Sequence, residues 1–331
     1  MKFGRLFFAS IFKSSGCVTI RHEELRNMDI YKQIRSKLIE ASERNRAEGL
    51  LLSGGLDSSI LAFVARPSIG FTVALKDSQA SDIVYSEKVA SSSGISNQKK
   101  EFTVGEALKA LPEVIGILRT FDLALPNDLS IYFALKLARE NGISSVMTGD
   151  GSDELFAGYS FMAELPVDKL GIYIRNLSQN WNFSTGYLGR ALGVQIKQPF
   201  LDRDFVDFAV EINPELKVKD GIGKYILRKS FEDLIPPEVI WRTKEPIEYG
   251  SGSTELHEVI AGMVSDEEYL SACEKAGVKF INKEHFYYYR IYKEVVGDIP
   301  EAKGNEKECP CCGAGMGAFH CPTCGFCWPL Q

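Results

Sequence analysis

Two stretches of this sequence bring together residue types that could do phosphate chemistry. The first is Ser53-Gly54-Gly55-Leu56-Asp57-Ser58-Ser59. Two adjacent glycines let a backbone approach an anion without a Cβ in the way, and the first N–H groups of a following helix point at it unpaired. Ser53, Ser58 and Ser59 add hydroxyl donors, while Asp57 adds a carboxylate that repels phosphate unless a cation lies between them. Mg2+ is the natural mediator. No lysine follows the second glycine, so this is not the GxxxxGK loop of γ-phosphate enzymes. The second stretch is Thr148-Gly149-Asp150-Gly151-Ser152-Asp153-Glu154-Leu155-Phe156-Ala157-Gly158-Tyr159. Its three carboxylates within five residues cannot all stay ionised in one site without cations or basic partners. Asp57 and Asp153 are the candidate Mg2+ ligands. A capped strand-to-helix turn accounts for the first stretch alone and a solvated acidic turn for the second, but neither accounts for the pair.

Cysteines supply a different chemistry. Cys17 and Cys273 stand alone, whereas Cys309, Cys311, Cys312, Cys321, Cys324 and Cys327 crowd the end of the chain, which favours a metal over disulfides. Cys309-x2-Cys312, eight residues, then Cys321-x2-Cys324 is zinc-ribbon spacing, with Gly313 and Gly325 placed for the tight turns of thiolate knuckles. Four thiolates would close a tetrahedral structural Zn2+ site, leaving Cys311 and Cys327 as spares or alternatives and His320 as a lesser ligand. A segment of about 25 residues so poor in core cannot fold without that metal.

The elements that must position these groups follow from periodicity. The apolar run Leu50-Leu51-Leu52 before the first loop and Ile60-Leu61-Ala62-Phe63-Val64-Ala65 after it give strand, glycine turn, helix. Residues 27–45 place Ile30, Tyr31, Ile34, Leu38 and Ile39 on one helical face. Residues 69–75 read as a second strand, 82–93 as a helix with Ile83, Val84 and Val89 inward, and 98–104 as a weaker strand. Residues 105–119, despite Pro112, and 130–141 read as helices, and 142–148 as a buried strand ending at Gly149. Such alternation predicts βαβ units, a Rossmann-like parallel sheet with helices on both faces, and ligands at the carboxyl ends of its strands. After residue 160 the strand signals fade into a largely helical second half. Residues 204–212 and 225–234 are helical there, Pro236-Pro237 is a break, residues 243–254 form a loop, and residues 264–296 are a polar helical region with a core or docking cluster at Phe286-Tyr287-Tyr288-Tyr289. Residues 297–308 read as a charged linker.

Length and composition bound the function. A chain of 331 residues suggests one main domain of about 250 residues plus appendages. A formal charge of −6 argues against broad non-specific nucleic-acid binding. Residues 1–13 mix basic and apolar residues like a signal peptide, but Ala9-Ser10 interrupts the apolar core and no small-residue cleavage site follows. A cytoplasmic enzyme is the expectation, and no run approaches the ~18 apolar residues of a membrane span. Residues 1–21 read as a short β-hairpin or packing arm. The expected division is an N-terminal arm over 1–25, a nucleotide domain over 26–265, a helical extension and linker over 266–304, and the ribbon over 305–331.

The two stretches, with Pro199-Phe200-Leu201-Asp202, Lys224-Tyr225-Ile226-Leu227-Arg228 and Arg242-Thr243-Lys244-Glu245, resemble in order the pyrophosphate loop and later motifs of the asparagine synthetase family, over roughly residues 26–254. The resemblance implies the adenine-nucleotide α-hydrolase-like fold and cleavage of ATP between its α and β phosphates. A carboxylate becomes an acyl-adenylate, and ammonia or another amine displaces AMP. By the same resemblance Ser53, Gly54, Gly55 and Ser58 grip pyrophosphate, with Ser59 beside them. Asp57 and Asp153 bind Mg2+, Lys244 neutralises developing charge, and Leu52, Val73 and Gly149 line the adenosine pocket through backbone groups. Asp150 and Glu154 stand behind as supporting carboxylates, or Asp150 serves near the attacking amine. Residues 199–202 are mainly structural.

This chain also departs from that family. Glutamine-using members begin with a nucleophilic cysteine on a domain of about 200 residues, but position 2 here is Lys2 and some fifty residues precede the loop. Free ammonia, another amine, or ammonia from a separate glutaminase is therefore expected. Where asparagine makers carry an arginine after a Tyr-Asp or Phe-Asp pair, this chain reads Phe121-Asp122-Leu123-Ala124-Leu125-Pro126-Asn127-Asp128. Without that guanidinium, recognition of aspartate as the carboxylate is in doubt. The ribbon is an addition that would present a protein or tRNA substrate, brace a homodimer, or serve as structure alone.

Overall fold

The computed structural model describes residues 15–179, 182–304, 306–317 and 320–328, with side chains from residue 28 onward. Helix α1 spans Ser15–Arg44 and leads into strand β1, Gly49–Leu51. Then follow α2 (Leu56–Ala65), β2 (Ile69–Leu75), α3 (Ser81–Ser93), β3 (Ser96–Phe102), α4 (Val104–Leu118), α5 (Leu125–Glu140) and β4 (Ser145–Met147). The second half holds α6 (Ser152–Phe156), α7 (Ser160–Ala163), α8 (Val167–Leu177), α9 (Ser184–Leu192), β5 (Gln195–Lys197), α10 (Arg203–Glu211), α11 (Tyr225–Phe231) and α12 (Pro237–Ile240). It ends with α13 (Ile247–Gly250), α14 (Leu256–Gly262), α15 (Asp266–Lys275), α16 (Lys283–Val295) and a ribbon of β6 (Lys307–Glu308) and β7 (Gly315–Met316). No helix among the described residues is long and apolar enough to cross a membrane.

Five strands pair in the order β3-β2-β1-β4-β5, every pairing parallel. Strand β2 is buried along nearly its whole length and apolar except for Thr72, as suits a parallel strand covered on both faces. Strand β3 lies at an edge, and its Lys99 and Lys100 discourage further pairing there. The chain winds from β1 to β3 in one direction and then returns to lay β4 on the other side of β1. The switch point between β1 and β4 is where such sheets open a ligand crevice at the strand carboxyl ends.

One core fills each face. On one side Leu50, Leu52 and Met147 meet Ile34, Leu38 and Ala41 of α1, the apolar run of α2, and α10 to α12. On the other, Phe71, Val73, Leu75 and Val146 meet α4, α5, α9, α14 and α16. Cys309, Cys311, Cys312, Cys321 and Cys324 of the ribbon belong to this second core, which also contains Phe121, Tyr288 and Tyr292. Helix α4 starts at a capping box in which Thr103 and Glu106 exchange hydrogen bonds.

The structure corrects several expectations. Residues 15–21 are the start of α1 rather than a β-hairpin, while residues 1–14 lie outside the described residues. Val84 is exposed, and Asp82 and Ser86 take the inward positions of α3 with Val89. Strand β5 carries no apolar periodicity and exists as a partner for β4. Residues 243–254 contain α13 and the 3-10 turn Ser253–Glu255 instead of an open loop. Residues 297–308 include β6 and a bridge from Glu301 to Ala314, so this segment is part of the ribbon.

Candidate active site

Loop 53–59 leaves the carboxyl end of β1, and residues 148–152 leave that of β4. Gly54 has φ +71, and a Cβ there would lie 2.3 Å from the Tyr85 backbone, so the loop turns tightly against α3. A Cβ on Gly149 would lie 2.7 Å from Cβ of Asp57, so the two strand-end loops touch only because that position is glycine.

Where they touch, four charged side chains converge. Lys224 Nζ donates to Asp57 Oδ1 and Oδ2 at 2.8 and 2.7 Å and forms an ion pair with Asp153 Oδ1 at 2.8 Å. Lys244 Nζ donates to Asp153 Oδ2 at 2.8 Å, and Ser152 Oγ donates to Asp57 Oδ1 at 2.6 Å. Lys224 is buried and Lys244 is 41% exposed. Burial alone would push the Asp153 carboxyl up, but the ammonium groups of Lys224 and Lys244 outweigh it and hold Asp153 well below the usual carboxylate range. Burial likewise favours neutral Lys224, and the two carboxylates overcome it, raising its pKa.

Sequence reasoning quoted Lys224 as part of a motif and gave it no role. Its backbone sits in the left-handed region at φ +57, held by Lys224 N–H to Phe156 O at 2.9 Å, and this turns the side chain into the cleft. Arg228, one turn later, donates Nη1 to the carbonyls of Ile240 and Arg242, fixing the segment that carries Lys244. Arg242 stacks 4.0 Å over the Tyr85 ring and donates to Ser81, Asp82 and Glu245, clamping that segment to the first turn of α3. The i, i+4 spacing of Lys224 and Arg228 was the available signal.

The other predicted residues fall into three groups. Ser53 Oγ accepts from Gly55 N–H at 3.1 Å and lies 3.2 Å from Ser58 Oγ, at the mouth of the loop. Ser59 is fully buried with its hydroxyl on Gly55 O at 2.7 Å and its N–H on the same carbonyl, so the donor expected of it is spent inside the helix. Leu52 N–H pairs with Phe71 O, and Leu75 N–H pairs with Ser251 O. Val73 lies between these on β2, past the last β1 partner, where its backbone faces the crevice. Asp150 and Glu154 do not join the Asp57–Asp153 pair. Asp150 accepts from Thr148, Thr185 and Gln198 at 2.6–2.8 Å. Glu154 accepts from Tyr159 OH at 2.5 Å, and burial pushes its carboxyl up.

Two positions could hold a metal. Asp57 and Asp153 direct oxygens at one shared ammonium, so a cation already occupies the point between them, and hard carboxylate oxygens are what a divalent ion such as Mg2+ prefers. In the ribbon the sulfurs of Cys309, Cys312, Cys321 and Cys324 all lie within 4.8 Å of one another, with the 309–324 and 312–321 pairs at 3.6 and 3.7 Å. A tetrahedron with metal–sulfur bonds of about 2.3 Å has edges of about 3.8 Å, so the four thiols fit such a centre. The N–H groups of Gly313 and Gly325 close each knuckle on Cys309 O and Cys321 O at 2.9 and 3.0 Å. Cys311 Sγ faces Lys279 O and Cys327 is exposed, so neither joins the four.

The asparagine synthase family model matches residues 34–182 and 187–308. The glutamine-hydrolyzing asparagine synthetase B of Escherichia coli (strain K12) is 32% identical over 283 residues, covering 77% of this chain and 51% of its own. The human glutamine-hydrolyzing asparagine synthetase is 33% identical over 272 residues, covering 74% of this chain and 48% of its own. The chain thus spans about half the length of the curated relatives it matches. A solved NMN synthetase from Francisella tularensis aligns at 14% identity and a TM-score of 0.30 over 84% of this chain and 98% of its own, a likeness too slight to argue from.

Proposed function

The chain belongs to the asparagine synthase family, and on that premise we propose that it is a carbon–nitrogen ligase that cleaves ATP to AMP and pyrophosphate. A carboxylate is activated as an acyl-adenylate and transferred to ammonia or another amine, free or handed over by a separate glutaminase. The observation that carries this reading is the convergence of Asp57, Lys224, Asp153 and Lys244 beside the glycine turn at the β1–β4 switch point.

In this reading Ser53, Gly54, Gly55 and Ser58 hold the pyrophosphate, the unpaired first N–H groups of α2 face it, and Leu52, Val73 and Gly149 offer backbone groups to adenosine. Asp57 and Asp153 hold Mg2+, which screens phosphate charge from both carboxylates when bound. Lys224 holds the two carboxylates in line, and with Lys244 it keeps Asp153 charged. Lys244, the more exposed ammonium, offsets charge on the departing pyrophosphate and on the later tetrahedral intermediate. Asp150, fixed by three neutral donors, stands near the attacking amine, with Glu154 behind it.

The stretch Phe121 to Asp128 carries no arginine to read a second carboxylate, which speaks against aspartate as the carboxylate. Asn127, in the first turn of α5, is already engaged, its Oδ1 accepting from Glu248 N–H at 2.8 Å. In the ribbon the four thiolates hold Zn2+ as a structural ion.

The test is product analysis with Mg-ATP across a panel of carboxylates and amines, with and without added tRNA or protein. AMP and pyrophosphate in equal amounts, dependent on a carboxylate, are expected. ADP and phosphate, or no turnover with any pair, would refute the reading.

A further inference from the structure

The ribbon's cysteine spacing suggests an independent appendage, yet its second knuckle is bonded into the body of the protein. Thr323, between Cys321 and Cys324, gives its carbonyl to Phe121 N–H at 2.8 Å and to Thr120 Oγ1 at 3.2 Å. A Cβ on Gly325 would lie 2.2 Å from Asp122 Oδ1, so the ribbon backbone approaches Asp122 with no room for a side chain. Asp122 Oδ2 lies 3.3 Å from His320 Nε2. The first knuckle is tied down as well, by Lys279 N–H to Cys311 O at 2.9 Å. Between the two, the buried Phe121 ring packs on His285, Tyr289 and Tyr292 with centroids 5.1–5.4 Å apart.

Residues 120–122 feed α5, which precedes β4 in a parallel sheet, so its first turn lies at the carboxyl edge of the strands. Asp122 Oδ1 accepts from Ala124 N–H at 3.0 Å and starts that turn. The turn in turn holds the segment after Lys244. Asn127 takes Glu248 N–H, Pro126 O takes Ser253 Oγ at 3.0 Å, and Ser130 Oγ lies 2.9 Å from Ser251 Oγ. A continuous chain of contacts therefore runs from the thiol cluster to the acceptor rim.

We propose that the cysteine ribbon is a metal-dependent brace on the acceptor side of the site. Metal occupancy fixes residues 120–122, these fix the first turn of α5, and that turn holds the 247–253 segment following Lys244. Without metal the ribbon cannot fold, and the Phe121 amide and the Thr120 hydroxyl lose their acceptor. None of these hydrogen bonds involves the glycine loop, residues 53–59, whose helix α2 packs in the core on the opposite face of the sheet. The inference rests on the acceptor side lying where the proposed function puts it, but its primary readout needs no turnover, so a failure of adenylation leaves the test standing.

The experiment is hydrogen exchange on the full chain before and after chelation, with bound metal counted and zinc(II) added back. Exchange at the Phe121 amide should rise at least tenfold on metal loss and recover with zinc, while exchange at the Ser59 amide stays within twofold. Should the metal-free chain unfold as a whole, the Thr120→Val/Asp122→Ala double variant keeps all four cysteines and decides the matter. It should retain one metal per chain and still show tenfold faster exchange at Phe121. Where turnover is measurable, it should raise KM for the carboxylate or amine and leave KM for ATP unchanged. Unchanged Phe121 exchange in the metal-free folded chain, or in the metal-loaded double variant, overturns the proposal.

Discussion

Replacing Lys224 with methionine removes one ammonium while keeping the length of its stem, and its consequences can be worked from the distances. The Asp57 and Asp153 oxygens both lie within 2.8 Å of Lys224 Nζ. They are therefore at most about 5.6 Å apart, and at an effective dielectric of ~20 two like charges at that separation repel by about 3 kcal/mol. Lys244 still faces Asp153 but is 41% exposed and does not reach between the pair. Breaking a buried pair by deleting one partner costs about 3–5 kcal/mol, in line with that repulsion plus the lost ion pairs. Lys224→Met should lose this much unfolding free energy in urea titrations without divalent ions. The same variant should regain more than half of the loss in millimolar Mg2+, because a divalent ion between the carboxylates replaces the missing charge. A loss under about 1 kcal/mol would mean that the acids are relaxed without the lysine. A full loss indifferent to Mg2+ would mean that Asp57 and Asp153 do not form a cation site at all.

Lys244→Met should leave stability within about 1 kcal/mol, as expected for an exposed ion pair. Its rate of AMP formation should nevertheless drop about 100-fold to 1,000-fold, the usual cost of one charge-stabilising donor, and an unchanged kcat would remove it from the site. Asp153 titrates below its ordinary value of 3.8 in the fold, so its contribution is whole above pH 4 and is lost as pH falls toward 2. Urea midpoints measured from pH 5 to 2 should fall most steeply below 4, and Asp153→Asn should flatten that slope. Lys217 is fully buried, donates to Ala209 O at 2.8 Å, and has its pKa pushed down to about 7 by burial. The unfolded chain binds the extra proton between about 7 and 10.5, so stability from this group rises with pH across that window. Lys217→Met should therefore stabilise the protein at pH 6, by up to about 1.4 kcal/mol for each unit of the pKa gap, and the gain should shrink toward pH 10. A melting temperature that drops at pH 6 would refute it.

The glycine-loop half of the candidate site is legible because its signals are local. Leu50 to Leu52, the glycine pair and the apolar start of α2 sit within one short stretch, and strand, turn and helix each announce themselves by composition. What the sequence hid is tertiary. Gln195–Lys197 becomes a strand only because β4 offers it an edge. The Ser59 hydroxyl turns inward although nothing separates its letter from that of Ser58. Cysteine spacing picks out the four thiols that cluster, without saying that the ribbon would close over Phe121. Lys224 is the instructive miss. Crowded acids call for a cation, and Mg2+ is the expected one, whereas the lysine that meets them lies in sequence more than sixty residues from either carboxylate and is marked only by its i, i+4 spacing to Arg228. The fold supplies its own cation, by way of a left-handed backbone at position 224. It follows that Asp153 is held charged and the acidic pair aligned by ammonium groups of the fold itself, and that a metal bound between the two carboxylates would share or displace an ammonium rather than fill a bare acidic pocket.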